Sequence, residues 1–140
     1  MSRIFWDSNL FVYLFENHAE FAQPVEDLWK KMIERRDQLL TSTLTMGEIL
    51  VKPMAMGDSS LCNHYEKTLS SLAVIIPFDL KVARRYAVIR STTSIKGPDA
   101  VQLACASAAG VDLFVTNDNH LKGRQVEGIQ FIAPLDRVPI

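Results

Sequence analysis

Four acids occupy the same kind of position in this 140-residue chain. Asp7, Glu48, Asp99 and Asp118 each follow an apolar, strand-like run or open a helix. They lie in Ile4-Phe5-Trp6-Asp7-Ser8-Asn9, Thr45-Met46-Gly47-Glu48, Lys96-Gly97-Pro98-Asp99-Ala100 and Phe114-Val115-Thr116-Asn117-Asp118. In an open parallel α/β sheet, strand ends that feed helix starts collect along one edge, where ligands bind. Carboxylates gathered there repel one another unless a cation neutralises them. Hard divalent ions such as Mg²⁺ and Mn²⁺ prefer an oxygen-rich set of this kind. The expected chemistry is therefore metal-dependent attack on a phosphodiester.

Each acid also has a plain structural role open to it. Asp7 can cap the first helix, and Glu48 can close a capping box with Thr45. Asp99 can complement a helix dipole behind Pro98, and Asp118 can serve a turn. Taken singly these roles suffice; taken together they leave unexplained why all four acids fall at one kind of junction. Capping does not compete with catalysis, because a helix N-terminus keeps a carboxylate ionised, as a metal ligand must be. Ser8, Thr45, Thr116 and Asn117 stand beside the acids and are expected to orient them. Lys52, Lys96, Lys122 and Arg124 are near the acids in sequence and are candidates for steering substrate phosphates.

The elements that must position these groups can be read from periodicity and punctuation. Arg3 to Asp7 reads as a strand, and Ser8-Asn9 opens a helix through Phe15. Pro24 suits the first turn of a second helix that runs to about Arg36. Gln38 to Thr43 is extended; Thr45 and Glu48 then read as a capping box, and Pro53 ends that helix. Met56 to Ser60 reads as a loop before a helix from Leu61 to Ser71. Ala73 to Pro77 is the clearest strand signal. Asp79 caps a helix to about Thr92, and Pro98 begins another that ends at Ala109 before Gly110. Leu113 to Thr116 and Ile129 to Ile132 are the last strands, separated by a polar loop, Asn117 to Gly123, with room for one helical turn. Strands alternating with helices predict a single-domain, three-layer α/β/α fold around a mainly parallel sheet, spanning residues 1–140.

Composition agrees with an ordinary globular domain: 48% hydrophobic and 22% charged residues. No apolar run is long enough to span a bilayer, and the N-terminus does not read as a signal peptide, so a cytoplasmic protein is expected. Cys62 and Cys105 read as buried thiols rather than a disulfide. The net charge of −1 argues against tight nonspecific DNA binding and leaves RNA open. His18, His64 and His120 lack zinc spacing, and no P-loop, dinucleotide fingerprint or G-x-S-x-G elbow occurs.

In the order and context of its acids the chain resembles the PIN domain family of metal-dependent ribonucleases, in the small stand-alone form typified by VapC-type toxins. The opening acid of that family matches Asp7, and its helix glutamate matches Glu48 after Thr45. Its third acid, in a Lys-x-x-Asp-Ala context, matches Asp99, and its fourth, after a strand ending in Thr, matches Asp118. His120-Leu121 departs from the family pattern, which often has an acid and Phe there. The resemblance implies an endoribonuclease cutting single-stranded or loop RNA, with one or two Mg²⁺ or Mn²⁺ ions among Asp7, Glu48, Asp99 and Asp118. Asp7 and Asp99 would be direct ligands, and water rather than the ribose 2′-OH would be the nucleophile. It further implies a homodimer, held inactive by a VapB-like antitoxin. Two other readings remain: a noncatalytic PIN-fold domain that binds or helps process RNA, and an acidic-pocket phosphatase or receiver-like domain. The second lacks an Asp-x-Asp at the first strand.

Overall fold

In a computed structural model describing all residues from Met1 to Ile140, five strands form one sheet in the order β3-β2-β1-β4-β5. These are β1 (Arg3–Trp6), β2 (Gln38–Ser42), β3 (Val74–Ile76), β4 (Val111–Thr116) and β5 (Ile129–Pro134). Every pairing is parallel. The helices are α1 (Ser8–Phe15), α2 (Ala22–Arg35), α3 (Thr43–Ala55), α4 (Ser59–Leu72), α5 (Leu80–Thr92) and α6 (Gly97–Ala109). Single 3₁₀ turns cover Asn119–Leu121 and Leu135–Arg137.

A sheet buried on both faces needs apolar side chains at successive positions, and β1 supplies them. Ile4 and Trp6 point into a core shared with Leu10, Phe11, Val25, Met32 and Leu69 of α1, α2 and α4. Phe5 points the other way, into a core shared with Val82, Ile89, Leu103 and Ala106 of α5 and α6. Leu39 and Leu40, then Leu113 and Phe114, divide between the same two cores. The α/β/α architecture therefore follows the expectation. Strand order reverses between β1 and β4: one branch of the sheet runs outward through β2 and β3, the other through β5. That switch point opens a crevice at the carboxyl ends of the strands.

Local corrections have local causes. The cap of α3 is Ser42, whose hydroxyl accepts from Thr45 N–H, so Thr45 lies inside the helix and forms no capping box with Glu48. Pro53 does not end α3, which runs on to Ala55. Pro53 is buried, and its carbonyl accepts from Asp58 N–H at 2.9 Å, so packing and the following turn hold the last turn in place. Ser59 and Ser60 belong to α4, because the Asp58 side chain caps that helix by accepting from Leu61 N–H. Both cysteines are free; Cys105 is buried but Cys62 is only half-buried. No helix is long and apolar enough to cross a membrane.

Candidate active site

Asp7 sits at the switch point. Its N–H donates to the Val115 carbonyl at 3.0 Å, continuing the β1–β4 ladder one residue beyond Trp6. Its carboxylate accepts from Ser8 N–H at 2.8 Å, capping α1, and from the Thr116 hydroxyl at 2.8 Å. The Thr116 hydroxyl in turn accepts from Asp118 N–H at 3.0 Å, so one buried side chain ties the first acid to the fourth. Asp118 accepts from His120 N–H at 2.9 Å, fixing the 3₁₀ turn that follows. Asp99 enters from the first turn of α6 behind Pro98, and Glu48 from α3.

The electrostatics tie these four groups together. Burial pushes the Asp7 carboxyl up to about 6; the Thr116 and Ser8 hydrogen bonds oppose this, and the charges of Glu48 and Asp118 add to it. Asp99 is likewise pushed up to about 6, by burial first and then by the neighbouring charges of Asp118 and Asp7. Glu48 is raised by burial and by Asp99, with the Ser8 side chain pulling the other way. Asp7, Glu48 and Asp99 thus each feel the charge of at least one other acid. No Lys or Arg forms an ion pair with any of them: the ion pairs are Lys30–Glu26, Arg35–Asp37 and Lys52–Glu16.

The donor set, all carboxylate oxygen, fits a hard divalent cation in kind. The side chains are not drawn into a ready cage, however, since no three ionisable ligand groups are arranged to hold an ion as they stand. Asp7 is met by the Ser8 N–H and the Thr116 hydroxyl, and Asp118 by the His120 N–H, while His120 partly offsets the negative charge around Asp99.

Two residues expected to orient the acids do other work. The side-chain amide of Asn117 donates to the Tyr13 hydroxyl at 3.2 Å. Thr45 is hydrogen-bonded to the Thr41 hydroxyl at 2.8 Å and accepts from the Gln102 amide at 2.8 Å. Gln102 also bonds the Ser42 hydroxyl, and Thr41 donates to the Trp6 carbonyl at 3.0 Å. Sequence reasoning does not single out Gln102. Its one signal is a long polar side chain, now buried, three residues after Asp99 in an Ala-rich helix. The network joins β1, β2, α3 and α6, and so links the elements carrying Asp7, Glu48 and Asp99.

Of the cations, Lys96 and Arg124 line a cavity of about 340 Å³ together with Asp99 and Asp118. Lys122 lies on a separate groove, and Lys52 is bound to Glu16 at 2.8 Å. Asp37, outside this set, has a fully buried side chain that accepts from Ser2 N–H and Arg35.

Comparison with known proteins matches the fold. The chain is 26% identical over 119 residues to Ribonuclease VapC23 of Mycobacterium tuberculosis, covering 84% of this chain and 94% of the relative. Its fold superposes on VapBC2 from Rickettsia felis, bound to a DNA fragment from its promoter, with a TM-score of 0.74 at 15% identity. That match covers 94% of this chain and 98% of the other. DNA-bound VapBC from Salmonella typhimurium gives a TM-score of 0.70 at 19% identity, covering 96% and 99% of the two chains. The PIN domain model matches residues 4–125, from the first strand through all four acids, and the chain belongs to the PIN domain family.

Proposed function

We propose that the chain is a metal-dependent endoribonuclease and the toxin of a type II toxin–antitoxin module, with a VapB-like antitoxin as its partner. One observation carries the catalytic part: four mutually repelling carboxylates at the sheet's switch point, two raised to about 6, with no cationic side chain paired to them. Such an arrangement costs stability unless something positive is meant to join it. The biological part is supported by the names of the relatives, a VapC ribonuclease and a member of the VapBC family of toxin–antitoxin systems from Mycobacterium tuberculosis.

In this reading Asp7 and Asp99 hold Mg²⁺ or Mn²⁺, Asp118 completes the set beside Asp99, and Glu48 contributes from α3. When bound, the ion supplies Lewis acidity for hydrolytic, in-line attack on the phosphodiester and offsets charge on the phosphoryl oxygens. Thr116 keeps Asp7 and Asp118 in register, and the Gln102–Thr45 network keeps Glu48 and Asp99 at fixed depth.

The test is to incubate the purified chain with mixed RNAs in Mn²⁺, Mg²⁺ or EDTA and to map the product ends. Cleavage in metal alone, leaving 5′-phosphates and lost in Asp7→Asn, is the expected result. Binding without cleavage in either metal would favour a noncatalytic PIN-fold domain. Full activity in Asp7→Asn would end the metal assignment.

A further inference from the structure

The segment Asn117–Arg124 leaves β4 beside the acids and divides two openings. On one side lies the cavity of about 340 Å³, bounded by Asp99, Asp118, Lys96, His120 and Arg124. On the other is a groove of about 390 Å³, bounded by Phe21, Asn117, Asn119 and Lys122. Successive residues alternate between them: 117 and 119 line the groove, 118 and 120 the cavity. The Asp118 carboxylate, by accepting from His120 N–H, holds that alternation in place.

The two sides differ in chemistry. Lys96 and Arg124 share the cavity with two carboxylates, yet neither forms an ion pair. Arg124 spends only its Nε–H, on the His120 carbonyl at 3.4 Å, leaving the rest of its guanidinium for an anion. The groove adds a ring and amides to its own charged groups, Lys122, Glu20 and Asp136. Phe21 is fixed by neighbouring rings, 4.8 Å from Tyr13 and 5.1 Å from His18, and the exposed Asn119 offers the carbonyl and the NH₂ of its amide.

We propose, resting on the ribonuclease reading above, that a single RNA strand crosses this segment and is read on both sides of it. The phosphate next to the cleaved bond lies against Lys96, His120 and Arg124. The adjoining nucleobase lies in the groove, stacked on Phe21, with its edge hydrogen-bonded by Asn119. Single-stranded sites elsewhere combine backbone cations with an aromatic platform in this way. The segment thus separates affinity from sequence choice. Lys96 and Arg124 in the cavity set how tightly the phosphate binds, and the Asn119 amide in the groove sets which base is accepted.

The experiment is equilibrium binding of short fluorescent homopolymers of U, A and C to the full chain in EDTA, where no cleavage occurs, over a salt series. Lys96→Ala and Arg124→Ala should each lower the slope of log K against log salt by about 0.7, equally for every base. Asn119→Ala should keep that slope and flatten the preference among the three homopolymers. Unchanged slopes in the Lys96→Ala/Arg124→Ala double variant, or an unchanged preference in Asn119→Ala, would overturn the proposal. A parallel arm in Mn²⁺ scores cleavage. Wild-type binding with the expected losses but no cleavage removes the ribonuclease reading and leaves the crossing intact. Cleavage with neither loss does the reverse.

Discussion

Asp7 carries a burden that only its function explains. The folded protein holds its proton more tightly than the unfolded chain does, because burial raises it from 3.8 to about 6. Its contribution to stability is therefore full below about pH 4 and is lost as pH rises through about 6, a swing of roughly 3 kcal/mol. At pH 7.5 and without metal, Asp7→Asn should raise the melting temperature by a few degrees. Mn²⁺ should raise the melting temperature of the wild type and not of the variant; equal shifts in both would locate any bound ion elsewhere. The same groups predict the pH dependence of cleavage. Asp7 and Asp99 must lose protons to ligate, so below about pH 6 the Mn²⁺ needed for half-maximal rate should climb by about tenfold per pH unit per proton displaced. A metal requirement flat from pH 7 to pH 5 would contradict this.

At the scale of elements, two glycines separate close approach from mere permissiveness. Gly128 enters β5 at φ +90°, and a Cβ there would lie 2.4 Å from the Ser107 carbonyl oxygen, where α6 closes on the strand. Gly47 sits within α3 with nothing within 4 Å of its missing Cβ. Gly128→Ala should destabilise by at least ~2 kcal/mol, combining left-handed strain with a backbone clash. Gly47→Ala should stabilise by about 0.5–1 kcal/mol, since a helix interior favours Ala. Urea denaturation of the two variants checks the opposite signs. The α3 cap is a related case of tertiary context overriding a local pattern. Thr45-x-x-Glu48 reads as a box in isolation, but β2 runs on to Ser42 and hands the cap to it, which frees Thr45 to be buried against Gln102.

The whole molecule depends on a sheet that joins two separate cores, and the Phe5–Phe114 pair stands at the centre of one. The rings stack at 5.2 Å and 8° between β1 and β4, beneath α6. Phe114→Ala should cost about 3–5 kcal/mol in a single cooperative transition, whereas Phe131→Ala, at the exposed edge, should stay within about 0.5 kcal/mol. Comparable losses at both positions would mean that the face carrying Phe131 is buried in solution.

The amino-acid sequence by itself determined the alternation of strands and helices, the bifacial apolar run Ile4-Phe5-Trp6, and the four junctions that bear Asp7, Glu48, Asp99 and Asp118. Those signals are local: a short continuous apolar run, a cap, a proline at a helix start. What only the tertiary structure decided was distance. Strand order β3-β2-β1-β4-β5 sets Asp7 beside Asp118 across 111 residues of chain, and burial then raises Asp7 and Asp99. Gln102, Asp37 and the split of Lys96 from Lys122 were illegible for the same reason. Their roles depend on partners that hydrophobic packing brings together from remote parts of the chain, and no short-range pattern records such partners.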